Sequence, residues 1–363
     1  MIGPGDLEIP IAVFAIGSLL AIVAWLTHAA WSERLTRRRS RTRPGTLVVL
    51  ARAIGGDDPS AAIGALERQP SAERIDVLVE MAYTVAGEQR RRLDELARQC
   101  GVLTLAGGWA LSRRWSRRLR AARLISLFSG ANEATGDLLL GDRHPEVRAQ
   151  ATEWAGEHPT PERLARLTEM LGDPDPRVRF FAGEALSRCG QVAASSLASF
   201  LTRAARSPDT PPSAVCGALT VARAVATPEL LGPALWLQRS PSVKVRACAT
   251  ALAGAIGGPQ AEAQLVGALA DPAAEVRAAA AAALGRLGRW ETAARVSWLL
   301  RDPTWRTRRA AALALTRMGP TGELLLRRPL RGEEPLAADI ARHALELSPV
   351  AQPADLEPTK ATA

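Results

Sequence analysis

The chain has 363 residues and a formal net charge of +9; 47% of it is hydrophobic, but aromatic residues make up only 4%. Alanine supplies much of that apolar content, which argues against a large aromatic core and suits thin, closely packed helix pairs; strand signals are almost absent. His28, His144, His158 and His343 are scattered, and Cys100, Cys189, Cys216 and Cys248 have no C-x-x-C spacing. No metal site, nucleophile elbow or phosphate-cradling loop is therefore expected.

Residues 1–8 are short and acidic. Residues 9–32 then run without a charge, IPIAVFAIGSLLAIVAWLTHAAWS, with Pro10 near the start and Trp25 and Trp31 at the far end. Such a stretch is long enough to span a bilayer as a helix, with an aromatic belt at one interface. A buried core helix and a cleaved signal peptide are the alternatives; the negative start of the chain argues against the second. Arg34, Arg37, Arg38, Arg39, Arg41 and Arg43 follow at once. The positive-inside rule then places the N-terminus outside and the rest in the cytoplasm.

The excess charge is local. Residues 32–125 carry 19 arginines against 10 acidic residues, whereas residues 126–363 carry 27 basic against 25 acidic. Beside a membrane anchor, such a segment is drawn to anionic inner-leaflet lipid. Residues 33–59 read as a basic juxtamembrane linker broken by Pro44, Gly45, Gly55, Gly56 and Pro59, with a short helix inside it. Residues 60–118 read as degenerate helical repeats or an N-terminal cap. Within them, Arg113, Arg114, Arg117 and Arg118 share an amphipathic stretch with Trp109 and Trp115. That stretch suits either a lipid surface or a first repeat in which Leu119-Arg120 stands in phase with later Val-Arg pairs.

From about residue 119 to 348 one phrase recurs: an Asp-Pro or Ser-Pro turn, Val-Arg, then a small-residue helix closed by Gly. It stands most plainly as DPAAEVRAAAAAALGRLG from Asp271 to Gly288. Val245, Val276 and Thr307 are evenly spaced, and Gly257, Gly288 and Gly319 keep the same step. The period is about 31 residues, and a fixed period of this size predicts a solenoid of about seven helix pairs. Asp271 is expected to cap its helix with Pro272 at the first helical position. Val276, Ala280, Ala283, Leu284 and Leu287 should form the buried stripe. Between Val178 and Val245 the chain runs longer than two periods, and the extra length falls near residues 207–212. Residues 349–363 read as a disordered tail.

The D-P-x-x-x-V-R-x-x-A-A-x-A-L-G pattern resembles HEAT repeats, in a short form of about 30 residues also found in phycobilisome-lyase-type proteins. The resemblance implies an all-α fold, an α-α superhelix; the apolar run at residues 9–32 adds one transmembrane helix ahead of it. It also implies a ladder between successive repeats, built from an aspartate in the turn and an arginine six residues on. The spacing is kept at Asp142/Arg148, Asp173/Arg179, Asp271/Arg277 and Asp302/Arg308. At Ser240/Arg246 the acid is gone, and at Thr210/Cys216 both are gone. The family implies a binding mode and no reaction, so neither catalysis nor a cofactor is expected.

One segment stands out as a candidate contact surface. Trp290, Trp298 and Trp305 alternate with Arg295, Arg301, Arg306 and Arg309, the side chains richest in interface hot spots. They serve equally as filler between alanine-rich helices. The reading is a membrane-anchored cytoplasmic scaffold that binds a protein partner. A nucleic-acid-binding solenoid is the alternative, and an enzyme or lyase with a site in the groove the lesser one.

Overall fold

The computed structural model describes residues 44–346 except 129, 131, 132, 208 and 333, and every regular element among them is a helix. The expected transmembrane segment, Arg37, Arg38, Arg39, Arg41, Arg43 and the tail lie outside the described residues. Among the described residues no helix is long and apolar enough to cross a membrane. The chain forms two compact units, divided between Leu139 and Leu140.

The first unit contains α1 (44–55), α2 (Ser60–Glu67), α3 (Ser71–Ala82), α4 (Gly87–Gln99), α5 (Val102–Ala110), α6 (Trp115–Leu127) and α7 (Glu133–Leu140). Part of the expected linker is therefore a packed helix. Pro44 and Gly45 stand at the described start of α1, where a missing N–H is tolerated, and Gly56 turns the chain after it at φ 124°. Leu50 and Ile54 are buried, and Gln69 Nε2 donates to Thr46 Oγ1 at 2.6 Å. Arg74 on α3 donates to the carbonyls of Leu66, Glu67 and Cys100, satisfying the ends of α2 and α4. The unit boundary lies beyond residue 119 because α6 packs on α3 and α5.

The second unit is a run of six helix pairs and one closing helix. The pairs are α8 (Pro145–Glu157) with α9 (Pro161–Met170), α10 (Pro176–Cys189) with α11 (Ala194–Arg206), and α12 (Pro212–Val225) with α13 (Leu231–Leu237). Then come α14 (Val243–Ile256) with α15 (Pro259–Ala268), α16 (Ala274–Leu287) with α17 (Ala293–Ser297), α18 (Trp305–Leu315) with α19 (Gly319–Arg327), and α20 (Pro335–Glu346). The second helix expected around residues 291–300 is split. The short α17 lies between 3-10 turns at Trp290–Thr292 and Trp298–Arg301.

The first helices of successive pairs stack on one another, and small residues set their spacing. A Cβ on Gly285 would lie 2.5 Å from Ala314 Cα, and one on Gly156 would lie 3.0 Å from Ala185 Cβ. Val276, Ala280, Ala283 and Leu284 are buried on α16 and Leu287 only partly so; Ala280, Ala283 and Leu284 belong to a buried cluster that runs from Leu265 to Ala344. Neighbouring pairs thus bury what a single hairpin leaves exposed.

The repeating turn differs in one detail from its expected form. Asp271 is not the N-cap: α16 has Ala273 at that position, without a side-chain cap. Asp271 Oδ1 instead accepts from the Ala273 amide at 2.8 Å, closing an Asx turn ahead of the helix. Asp142, Asp173 and Asp302 do the same to His144, Asp175 and Thr304. At the other end Gly257, Gly288 and Gly319 hold φ of 75°, 65° and 66°, the conformation that favours glycine.

Candidate partner-binding surface and the arginine ladder

Each complete rung joins two consecutive turns of the array. Arg277 Nε and Nη2 donate to Asp302 Oδ2 and Oδ1 at 2.7 and 3.1 Å. Its Nη1 donates to the carbonyls of Asp271 and Pro272 at 2.8 and 2.9 Å. The guanidinium therefore closes its own turn and grips the next. Arg148 does this between Asp142 and Asp173, and Arg246 between Ser240 and Asp271. The aspartate of a rung comes from the following repeat and not from the partner six residues earlier, which lends only its backbone oxygen. That is why Arg246 keeps a full rung although Ser240 has replaced its acid.

The electrostatics are those of semi-buried pairs. Burial disfavours charge at Asp271 and Asp302, but Arg246, Arg277 and a turn amide at each outweigh it and hold both carboxyls below the usual range. Arg246 and Arg277 are raised by the same hydrogen bonds. Arg179 holds only the carbonyls of Asp173 and Pro174, because Thr210 supplies no acid. Arg308 likewise holds only the carbonyls of Asp302 and Pro303.

Arg118 is corrected from the lipid-facing set. It is 5% exposed and donates to the carbonyls of Ser112 and Arg113, the same hold that Arg148 has on Asp142 and Arg143. The arginine of the repeat turn is thus Arg118 and not Arg120, which pairs with Asp76 at 3.1 Å. Arg117 lies over the Trp109 ring at 5.9 Å; Arg113 and Arg114 are exposed.

Trp290, Trp298 and Trp305 are all exposed, at 60%, 69% and 59%, so they do not fill space between helices. Arg295 lies over Trp298 at 5.6 Å and Arg309 over Trp305 at 5.7 Å. Each pair presents an aromatic face stiffened by a cation. Arg301 pairs with Glu334 at 2.8 Å, and Arg306 is exposed. Among the described residues no ring contact links the three tryptophans.

Two features escaped the sequence reading. Trp236 on α13 is 65% exposed beside a pocket of about 200 Å³ that includes Arg206 and Pro233. It precedes Trp298 by two periods, a register that could have revealed it. Cys216 on α12 and Cys248 on α14 influence each other's ionisation: the Cys216 thiol brings Cys248 down to about 7 against the effect of burial, and Cys216 is pushed up. Both are only partly buried. Among the described residues no cluster of three or more His, Cys, Asp or Glu could hold a metal ion.

Helical hairpins with an evenly recurring turn, a glycine cap and an arginine–aspartate ladder define an α-solenoid. A profile described as HEAT repeats matches residues 132–219, 229–316 and 262–346, more than half of the chain, and the chain belongs to the HEAT-repeat family. No curated protein matches it in sequence. Among solved structures, Kap95 in a Kap95:Nup1 complex is 14% identical over 83% of this chain and 46% of that one, with a TM-score of 0.54. The complex of CpcE and CpcF of phycocyanin lyase from Nostoc sp. PCC7120 is 19% identical over 69% and 94%, with a TM-score of 0.33. Human deoxyhypusine hydroxylase is 19% identical over 67% and 94%, with a TM-score of 0.29. The chain spans about half the length of the Kap121p and Kap95 chains that it resembles. At 14% identity the likeness to Kap95 is one of fold.

Proposed function

We propose that this protein is a scaffold that binds a protein partner through the exposed tryptophans of its last repeats, and that its leading apolar segment tethers it to the cytoplasmic face of a membrane. The observation that carries the binding reading is the exposure of Trp298 and Trp305, each under its own arginine, on a stacked helical array. Large aromatic faces with paired guanidinia are costly to leave in water and make strong anchors once covered. That Kap95 was solved as a complex with Nup1 is in keeping with such a role. The tether rests on residues 9–32 and the arginines at 37, 38, 39, 41 and 43, with Arg113, Arg114 and Arg117 as further contacts for anionic lipid.

The test is capture of the full-length protein in mild detergent, beside a Trp298→Ala/Trp305→Ala variant. A specific partner retained by the first and lost from the second is the expected result. Identical partner sets would remove the tryptophan surface. For the tether, a reporter fused after residue 43 should be protected on the cytoplasmic side; reporter activity outside the cell would reverse the orientation. Nucleic acid is the less favoured ligand, because Arg118 is buried and Arg120 paired within the basic stretch. Salt-dependent retention of the protein on DNA would restore it.

A further inference from the structure

The ladder ends at Arg308 with its guanidinium set for a carboxylate that no described residue supplies. Arg308 is only 7% exposed. Its Nη1 is fixed on the carbonyls of Asp302 and Pro303 at 2.8 and 3.0 Å, the hold seen at Arg148, Arg246 and Arg277. In those three arginines, Nε and Nη2 each meet an aspartate oxygen. At Arg308, Nε is buried and has no partner among the described residues. Arg179 also lacks a following aspartate, but it is half-buried, so water can serve it.

Arg308 lines a pocket of about 250 Å³ with Arg301, Pro303, Glu334 and Leu336. The acids at its wall are already engaged: Asp302 by Arg277 and Glu334 by Arg301. A buried guanidinium donor without an acceptor costs far more than one that is paired. The planar fork accepts a carboxylate in two parallel bonds.

We propose that this pocket is a carboxylate-binding site, in which Arg308 Nε and Nη2 take both oxygens of an incoming acid and so complete the last rung. Pro303 and Leu336 suit the aliphatic part of such a ligand. The acid is an aspartate or glutamate side chain of a peptide or a free organic acid; both present the same group. The site does not depend on the tryptophan surface being the partner's seat.

The test follows the Arg308 Nε–H resonance of the full-length protein, assigned with Arg308→Lys, during titration with acetyl-Ala-Asp-Ala-amide, its Asn counterpart and succinate. The expected result is a saturable shift with the Asp peptide, at least about tenfold weaker with the Asn peptide. Succinate matching the Asp peptide would identify a free acid as the source, still at this site. The titration is repeated in Glu333→Gln, because Glu333 stands one repeat period after Asp302 in sequence. Saturation only in that variant would mean that the chain fills its own rung, and would overturn the proposal. No saturable shift in either protein would overturn it as well. The Asn control keeps the test decisive even if Arg308→Lys fails to fold.

Discussion

Arg277 reaches across to Asp302 with two parallel hydrogen bonds while holding the Asp271 carbonyl behind it. One side chain thereby joins two turns that stand a full repeat apart in sequence. Asp302→Ala would leave both Arg277 donors facing a semi-buried gap, and should cost about 3 kcal/mol in urea unfolding. The same carboxyl sets an acid response. A carboxyl held below its unfolded value of about 3.9 contributes stability above that pH and loses it as pH falls through the folded value. Stability should fall below about pH 4, and Asp302→Asn should flatten that fall. Parallel acid limbs for the two proteins would take Asp302 out of the response.

Ala226 stands where the later repeats have Gly257, Gly288 and Gly319, and it adopts φ 47°. An L side chain is strained there. Ala226→Gly should relieve the strain at the end of α12 by more than the added freedom of the unfolded chain costs. The expected gain is roughly 0.5–1 kcal/mol. A loss of stability would show that the methyl group packs better than its backbone suggests.

At Gly285 the opposite substitution is the informative one. Alanine is the better helix former, yet its Cβ would lie 2.5 Å from Ala314 Cα, and backbone atoms cannot step aside as a flexible side chain can. Gly285→Ala should destabilise by about 1–3 kcal/mol, against its helix propensity. Gly267, with nothing within 4 Å of the same added atom, is the control: there alanine should be neutral or stabilising.

The Cys216–Cys248 pair makes a kinetic prediction. Thiolate is the nucleophile, and Cys248 is brought down to about 7 by the neighbouring Cys216 thiol. Its alkylation by iodoacetamide should rise through neutral pH and level off above about pH 8, as the thiol finishes ionising. Cys216→Ser removes the neighbouring thiol, so the rise should move to higher pH. An unchanged profile would mean that the partner thiol does not control Cys248.

The period, the glycine caps and most of the buried stripe were legible because they depend on residues close in sequence. The Asp-Pro turn, Val276 and Gly288 each act within one hairpin. The direction of the rung was not legible: the acid six residues before each arginine is nearer in sequence, but only the fold shows that Arg246 meets Asp271. Arg118 was hidden because the turn at Ser112 lacks the aspartate and proline that mark the others. The thiol pair lay hidden for a related reason, being spaced by a repeat and not by a motif. The helix at 44–55 was legible only as a short helix within a linker, because Pro44, Gly45, Gly55 and Gly56 mark a linker as readily as a packed element.

The interruption around α12 sets how the second unit would yield under load. Thr210, Cys216 and Ser240 remove the charged links on both sides of this pair, and the α10–α12 seam is thinner than those at α8–α10, α12–α14, α14–α16 and α16–α18. In a chain of nearest-neighbour contacts, tension applied to the two ends concentrates at the weakest junction. Stretched between its termini, the array should part first at this joint, giving two separate extensions in a force trace. A T210D/C216R/S240D triple substitution, which restores the missing links, should merge them into one.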